Sequence, residues 1–145
     1  MKSTELDINF QRESTISGNE FEAAVTQELA DIHDLDPDEI LKITLPDIGI
    51  ELDYLILTDE GLEAGEAKGG RPGPNKRPGA ERTDNVKKAI CNGALLHQHL
   101  PELKYVVYFS APPKENSSSE SMLRTALEAG FISEVCYLNI YTSIK

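Results

Sequence analysis

Cysteine is scarce in this chain of 145 residues: Cys91 and Cys136 are the only two, and no C-x-x-C spacing joins them. A disulfide scaffold is thereby excluded, and two thiols within apolar stretches are expected to be buried in a reducing, cytoplasmic setting. No apolar run approaches the roughly 18 residues of a membrane span, so no membrane partner is expected. The opening Met1-Lys2-Ser3-Thr4-Glu5-Leu6-Asp7 lacks the apolar core of a secretory signal. There is no Walker A loop, no G-x-S-x-G elbow and no dinucleotide fingerprint. His33, His97 and His99 lack metal spacing, and the last two, two apart on a predicted helix, diverge. Internal repeats are also missing. What remains, 39% hydrophobic and 27% charged residues, is enough for one core in one domain.

Positive charge is the other scarcity, with 14 Lys and Arg against 25 Asp and Glu and a net charge of −11. It is unevenly spread. Lys68, Arg71, Lys76, Arg77, Arg82, Lys87 and Lys88 fall within 21 consecutive positions, opposed there only by Glu81 and Asp84. Seven cations less two acids leave that stretch about +5 and the remainder about −16. A basic island in so acidic a chain points to an anionic partner.

Residues 1–16 are polar and without period, an arm or a short edge element. Ser17-Gly18-Asn19-Glu20 has the capping-box pattern, and Phe21, Val25, Leu29 and Ile32 follow at helical spacing. Three strand-like runs come next, Ile40–Leu45, Ile48–Leu57 and Leu62–Lys68, with Asp59-Glu60-Gly61 as a hairpin turn. Gly69 to Gly79 holds four glycines and three prolines and reads as a loop. A helix is expected from Asp84 to Leu100, a buried strand over Tyr105–Ser110, and a helix capped by Ser117 and closed by Gly130. Ile132–Ile144 supplies a final strand or two. Short links make the first three strands antiparallel, and intervening helices make the later ones parallel. The expectation is a single α/β domain with a mixed sheet in the order αβββαβαβ.

Two acids stand out against this frame. Asp53 lies inside the apolar run Leu52-Asp53-Tyr54-Leu55-Ile56-Leu57, where an uncompensated carboxylate is costly to bury. The third strand ends Glu66-Ala67-Lys68, which sets a carboxylate and an ammonium on one face. A turn centred near Glu60 brings Asp53 opposite Glu66 to within one residue. Two carboxylates facing each other across a ladder repel, whereas a divalent cation requires them. Glu22 falls on or beside the apolar stripe of the first helix, an aim with no packing rationale, while Glu20 suits a cap. Glu51 shares the strand parity of Asp53 as a lesser candidate.

The set resembles the PD-(D/E)XK nuclease superfamily, the restriction-endonuclease-like fold. The residues that carry the resemblance are Asp53, then Glu66-Ala67-Lys68 on the next strand of a hairpin, with Gly18-Asn19-Glu20-Phe21-Glu22 opening the first helix. Leu52 stands before Asp53 where the family often has proline; the literal Pro46-Asp47 would face the Gly/Pro loop instead of Glu66. No Gln-x-x-x-Tyr pattern follows the loop, which disfavours the exonuclease-like subgroups.

The resemblance implies that residues 17–145 form a nuclease domain behind the 1–16 arm. It implies a metal-dependent endodeoxyribonuclease, a hydrolase of phosphodiester bonds of the restriction, repair or junction-resolving kind. Mg²⁺, with Mn²⁺ as a substitute, would be held by Asp53, Glu66 and the Ala67 carbonyl. Lys68 would stand beside the attacking water, and Glu22 would complete the acid set. Arg71, Lys76, Arg77, Arg82, Lys87 and Lys88 would bind DNA phosphates. Cleavage of two strands implies a homodimer. The alternative expectation is a catalytically silent accessory protein of the same fold that binds nucleic acid or protein.

Overall fold

The computed structural model describes residues 9–11 and 20–141. Ser17, Gly18 and Asn19 of the expected capping box lie outside the described residues, as does most of the arm. Helix α1 begins at Glu20 and runs to His33, burying Phe21, Val25 and Leu29 as expected, but Ala30 takes the fourth buried place and Ile32 is exposed. Each large apolar side chain taken fully from water stabilises by about 1.5–3 kcal/mol, so this stripe fixes the helix on its sheet.

Strands β1 (Asn9–Gln11), β2 (Leu41–Leu45), β3 (Ile50–Thr58), β4 (Gly61–Lys68), β5 (Lys104–Phe109) and β6 (Glu134–Tyr137) form one sheet in sequence order. The first four are antiparallel neighbours. Helix α2 (Thr83–His99) leads to β5 and helix α3 (Ser118–Ala129) to β6, and both of these strands pair in parallel. The α/β class and the mixed sheet expected from the sequence are both observed. Residues 9–11 take the edge-element option, and a single strand forms between Ile132 and Tyr141.

β5 shows why the sheet is buried on both sides. In Lys104-Tyr-Val-Val-Tyr-Phe109, Val106 and Tyr108 pack with Phe21, Val25 and Leu29 of α1. Tyr105, Val107 and Phe109 pack with Val86, Ala89 and Leu96 of α2 and Leu123 of α3. A strand covered by helices on both faces reads as a continuous apolar run. Helix α3 is capped as expected: Ser117 Oγ accepts from Glu120 N at 3.2 Å, and Gly130 closes it in the left-handed region at φ +81°. The Glu120 carboxylate reaches back one residue further than in a capping box, to the Asn116 N–H at 2.8 Å.

One cysteine departs from expectation. Cys91 is exposed, and Cys136 is half-buried. The buried stripe of α2 is Val86, Ala89, Gly93 and Leu96. Cys91, two positions from Ala89, is turned some 200° away from that stripe.

Candidate active site

The position of Asp53 is set by a break in the β2–β3 ladder. Ile43 pairs with Leu52 and Leu41 with Leu55, so Lys42 stands opposite two residues, Asp53 and Tyr54. This is a β-bulge, a device that re-aims side chains. Leu52 and Leu55, three apart, both enter the α2–α3 core because of it. On its other side β3 pairs regularly with β4 from Thr58–Gly61 up to Tyr54–Gly65. One step further, the Asp53 Oδ2 itself accepts the Ala67 N–H at 2.8 Å. A side-chain carboxylate thus takes a backbone donor of the next strand.

Helix α1 approaches this point closely. A Cβ on Gly69 would fall 2.7 Å from Cβ of Phe21, so only glycine lets the helix sit there. Glu22, on the next turn position, hydrogen-bonds to the Asp53 carboxyl. The Asp53 pKa is pushed up to about 7, first by burial and then by the Glu22 hydrogen bond and the charges of Glu22 and Glu66, against the pull of the Ala67 N–H. Carboxyls from two other elements, Glu22 of α1 and Glu66 of β4, therefore both act on Asp53.

Glu66 is only 3% exposed. Its Oε1 accepts from the Tyr105 hydroxyl at 2.9 Å and its Oε2 from the Asn92 side-chain amide. Lys68 Nζ lies 3.8 Å from Oε1, the same-face neighbour that strand alternation demands. Burial raises the Glu66 pKa, and Lys68, Tyr105 and Asn92 oppose that rise. Sequence reasoning passed over Asn92 and Tyr105. Asn92 carried a signal, because it lies three positions after Ala89 and four before Leu96, beside the buried stripe of a helix. Tyr105 carried none, since a tyrosine opening an apolar strand reads as core.

The basic residues separate into three settings. Arg71, Lys76, Arg77 and Arg82 line an open hollow of about 780 Å³ between the Gly69–Gly79 loop and the start of α2. The loop ends meet there, Gly79 N–H donating to Gly69 O at 3.3 Å. Arg71 is already engaged: its Nε and Nη2 stand 2.7 and 2.9 Å from the two oxygens of Glu20. Tyr141 adds its hydroxyl to Glu20 at 3.2 Å and its ring beneath Arg71 at 5.9 Å. The Glu20 carboxylate thus serves Arg71 and Tyr141. Lys88 pairs with Asp84 at 3.3 Å on the helix surface. Lys87 borders a different, apolar groove between α2 and α3, with Ile90, Met122 and Phe131.

Asp47 is exposed in the β2–β3 turn, and Glu51 is exposed as well. Among the described residues no group of three or more His, Cys, Asp or Glu side chains is arranged to hold a metal ion. Of the oxygen groups read from the sequence, Asp53 and Glu66 come together here, with Glu22 hydrogen-bonded to Asp53 and the Ala67 N–H on Asp53 Oδ2. Carboxylates and a carbonyl suit a hard cation that keeps several waters. A second buried glutamate, Glu63, is closed off elsewhere by the Tyr54 hydroxyl at 2.6 Å and Lys104 at 3.8 Å. No helix among the described residues is long and apolar enough to cross a membrane. In comparisons with protein-family models, curated proteins and solved structures, the chain matches none.

Proposed function

We propose that this chain is a Mg²⁺-dependent DNA endonuclease of restriction-endonuclease-like fold, as the resemblance of Asp53 and Glu66-Ala67-Lys68 implies. The observation that carries the reading is Asp53 at a strand bulge, acted on by both Glu22 and Glu66, with Lys68 beside Glu66. Such a placement destabilises the empty fold through desolvation and repulsion, and is unexpected unless a cation relieves it.

In this reading Asp53, Glu66 and the Ala67 carbonyl hold the ion, with Mn²⁺ able to replace Mg²⁺. The bound ion supplies Lewis acidity, lowering the pKa of a coordinated water and offsetting phosphate charge. Lys68 orients the attacking water and stabilises the negative charge that builds on the phosphate oxygens. Glu22 fixes the Asp53 carboxyl. Arg71, Lys76, Arg77 and Arg82 follow the DNA phosphates leading to the site, with Lys87 and Lys88 further along α2. Cutting both strands requires a second copy of the chain.

The test is incubation of the purified protein with plasmid, single-stranded and four-way-junction DNA, with Mg²⁺ and with chelator. Metal-dependent nicks or breaks are expected. Binding without cleavage of any substrate, at all metal concentrations, would replace this reading with the silent accessory protein.

A further inference from the structure

We infer that Asn92 and Tyr105 are positioning residues that hold the Glu66 carboxylate for its cation, so that helix α2 and strand β5 set the metal affinity of a site they do not themselves ligate. The inference rests on the reading of Glu66 as a metal ligand.

The packing that makes the contact possible is local to one turn of α2. Ala89 is fully buried, and a Cβ on Gly93 would fall 2.3 Å from Phe131 O and 3.0 Å from the Tyr105 ring. Two small residues on one helix face let the backbone settle onto β5. Asn92, between them in the same turn, then reaches across to β4. Its amide meets Glu66 Oε2 while the Tyr105 hydroxyl meets Oε1, so both oxygens are fixed from the helix side.

The donors are of two kinds. An amide N–H cannot be lost, so Asn92 is a constant donor. The Tyr105 hydroxyl has one proton and two acceptors in reach, Glu66 Oε1 at 2.9 Å and Ala89 O at 3.1 Å. A charged acceptor draws the stronger bond, so the proton serves Glu66 whenever that group is ionised. Neither donor neutralises the carboxylate. Two neutral donors, one on each oxygen, orient a buried charge without neutralising it, and Lys68 stands 3.8 Å from Oε1 beside them. Glu63 in the same strand also has a lysine at 3.8 Å. Its two oxygens, however, are shared between the Tyr54 phenol and Lys104, which also pairs with Glu134 at 3.5 Å, whereas Glu66 has a neutral donor on each oxygen. A buried carboxylate that served stability alone could be replaced by an apolar residue at little cost.

The experiment compares Asn92→Ala, Tyr105→Phe and, as control, Tyr54→Phe, which removes the equivalent phenol from Glu63. Mn²⁺ binding is measured by calorimetry on the folded proteins, and kcat and KM on plasmid DNA at saturating and limiting metal. Loss of a group that orients a metal ligand weakens binding by roughly 10- to 100-fold. That loss is expected for Asn92→Ala and Tyr105→Phe, with kcat falling at limiting metal and KM for DNA unchanged. Tyr54→Phe should bind Mn²⁺ as wild type does. Should Asn92→Ala fail to fold, Tyr105→Phe alone decides, being nearly isosteric. Wild-type Mn²⁺ affinity in folded Tyr105→Phe, or an equal loss in Tyr54→Phe, overturns the positioning role and leaves the nuclease reading standing. A wild-type protein that takes up no Mn²⁺ and cuts no DNA overturns the nuclease reading itself.

Discussion

The Asp53 carboxylate accepts the backbone N–H of Ala67 at 2.8 Å, the middle residue of Glu66-Ala67-Lys68. That single bond locks the bulge of β3 to the end of β4, and it holds Asp53 between Glu22 and Glu66. It also gives the carboxylate a reason to remain charged in a place where burial and two neighbouring acids favour the protonated form.

Asp53→Asn is therefore expected to abolish metal-dependent cleavage, by at least about a hundredfold, while leaving the fold intact. Glu66→Gln should do the same. Neither amide repels the remaining acids, so the thermal midpoint should stay level or rise. Mg²⁺ should raise the midpoint of wild type and not of either variant. A variant that cleaves at the wild-type rate would remove that residue from the set of ligands.

The pH dependence follows with its sign. Asp53 titrates at about 7 in the fold against 3.8 as the unperturbed value, so the folded chain holds this proton more tightly than the unfolded one. The contribution to stability is complete below about pH 3.8 and is lost as pH rises toward 7. In chelator, wild type should lose stability relative to Asp53→Asn across that window, and the difference should level off above it. Denaturant midpoints of the two proteins between pH 4 and 8 give the measurement. A constant difference would mean that Asp53 is not under the strain described.

Tyr54→Phe tests the opposite end of β4. The phenol donates to buried Glu63 at 2.6 Å, and its loss leaves that carboxylate with Lys104. A cost of about 1–3 kcal/mol is expected, with cleavage unchanged. Reduced cleavage at full folding would show that the two buried glutamates of β4 are linked.

Much of this arrangement is legible in the sequence because it depends on period and count. The Phe21, Val25 and Leu29 stripe of α1, the hairpin turn at Asp59-Glu60-Gly61 and the apolar run of β5 each follow from local rules. Placing Asp53 near Glu66 needs only the hairpin. The bulge is not legible: Leu52-Asp53-Tyr54 carries no glycine to mark it, and it arises from the register of β2, a partner chosen by the tertiary fold. The meeting of Asn92 and Tyr105 with Glu66 is hidden for a related reason, since it depends on how deeply Ala89 and Gly93 let α2 settle. The split of Lys87 from Arg82 is likewise a matter of helix rotation within the packed domain.

The last prediction concerns Glu20 and Arg71. An exposed ion pair of this kind adds little stability, so Glu20→Gln should change the midpoint only slightly. Its effect should appear in DNA binding. The two Glu20 oxygens occupy the Arg71 guanidinium fork in the manner of a phosphate, and a DNA phosphate must displace them. Freeing Arg71 should tighten binding at low salt with no change in the sequences preferred, because phosphate contacts carry no base information. Replacing Arg71, Lys76 and Arg77 together by alanine should act in the other direction, weakening binding on all sequences. Each phosphate contact adds about 0.9 to the slope of log affinity against log salt, so the triple variant should lose up to about 3 from it. The slopes for wild type, Glu20→Gln and the triple variant are the measurement. Three equal slopes would show that the hollow beside β4 never meets the phosphates, and that Glu20 and Arg71 merely tie the start of α1 to the loop.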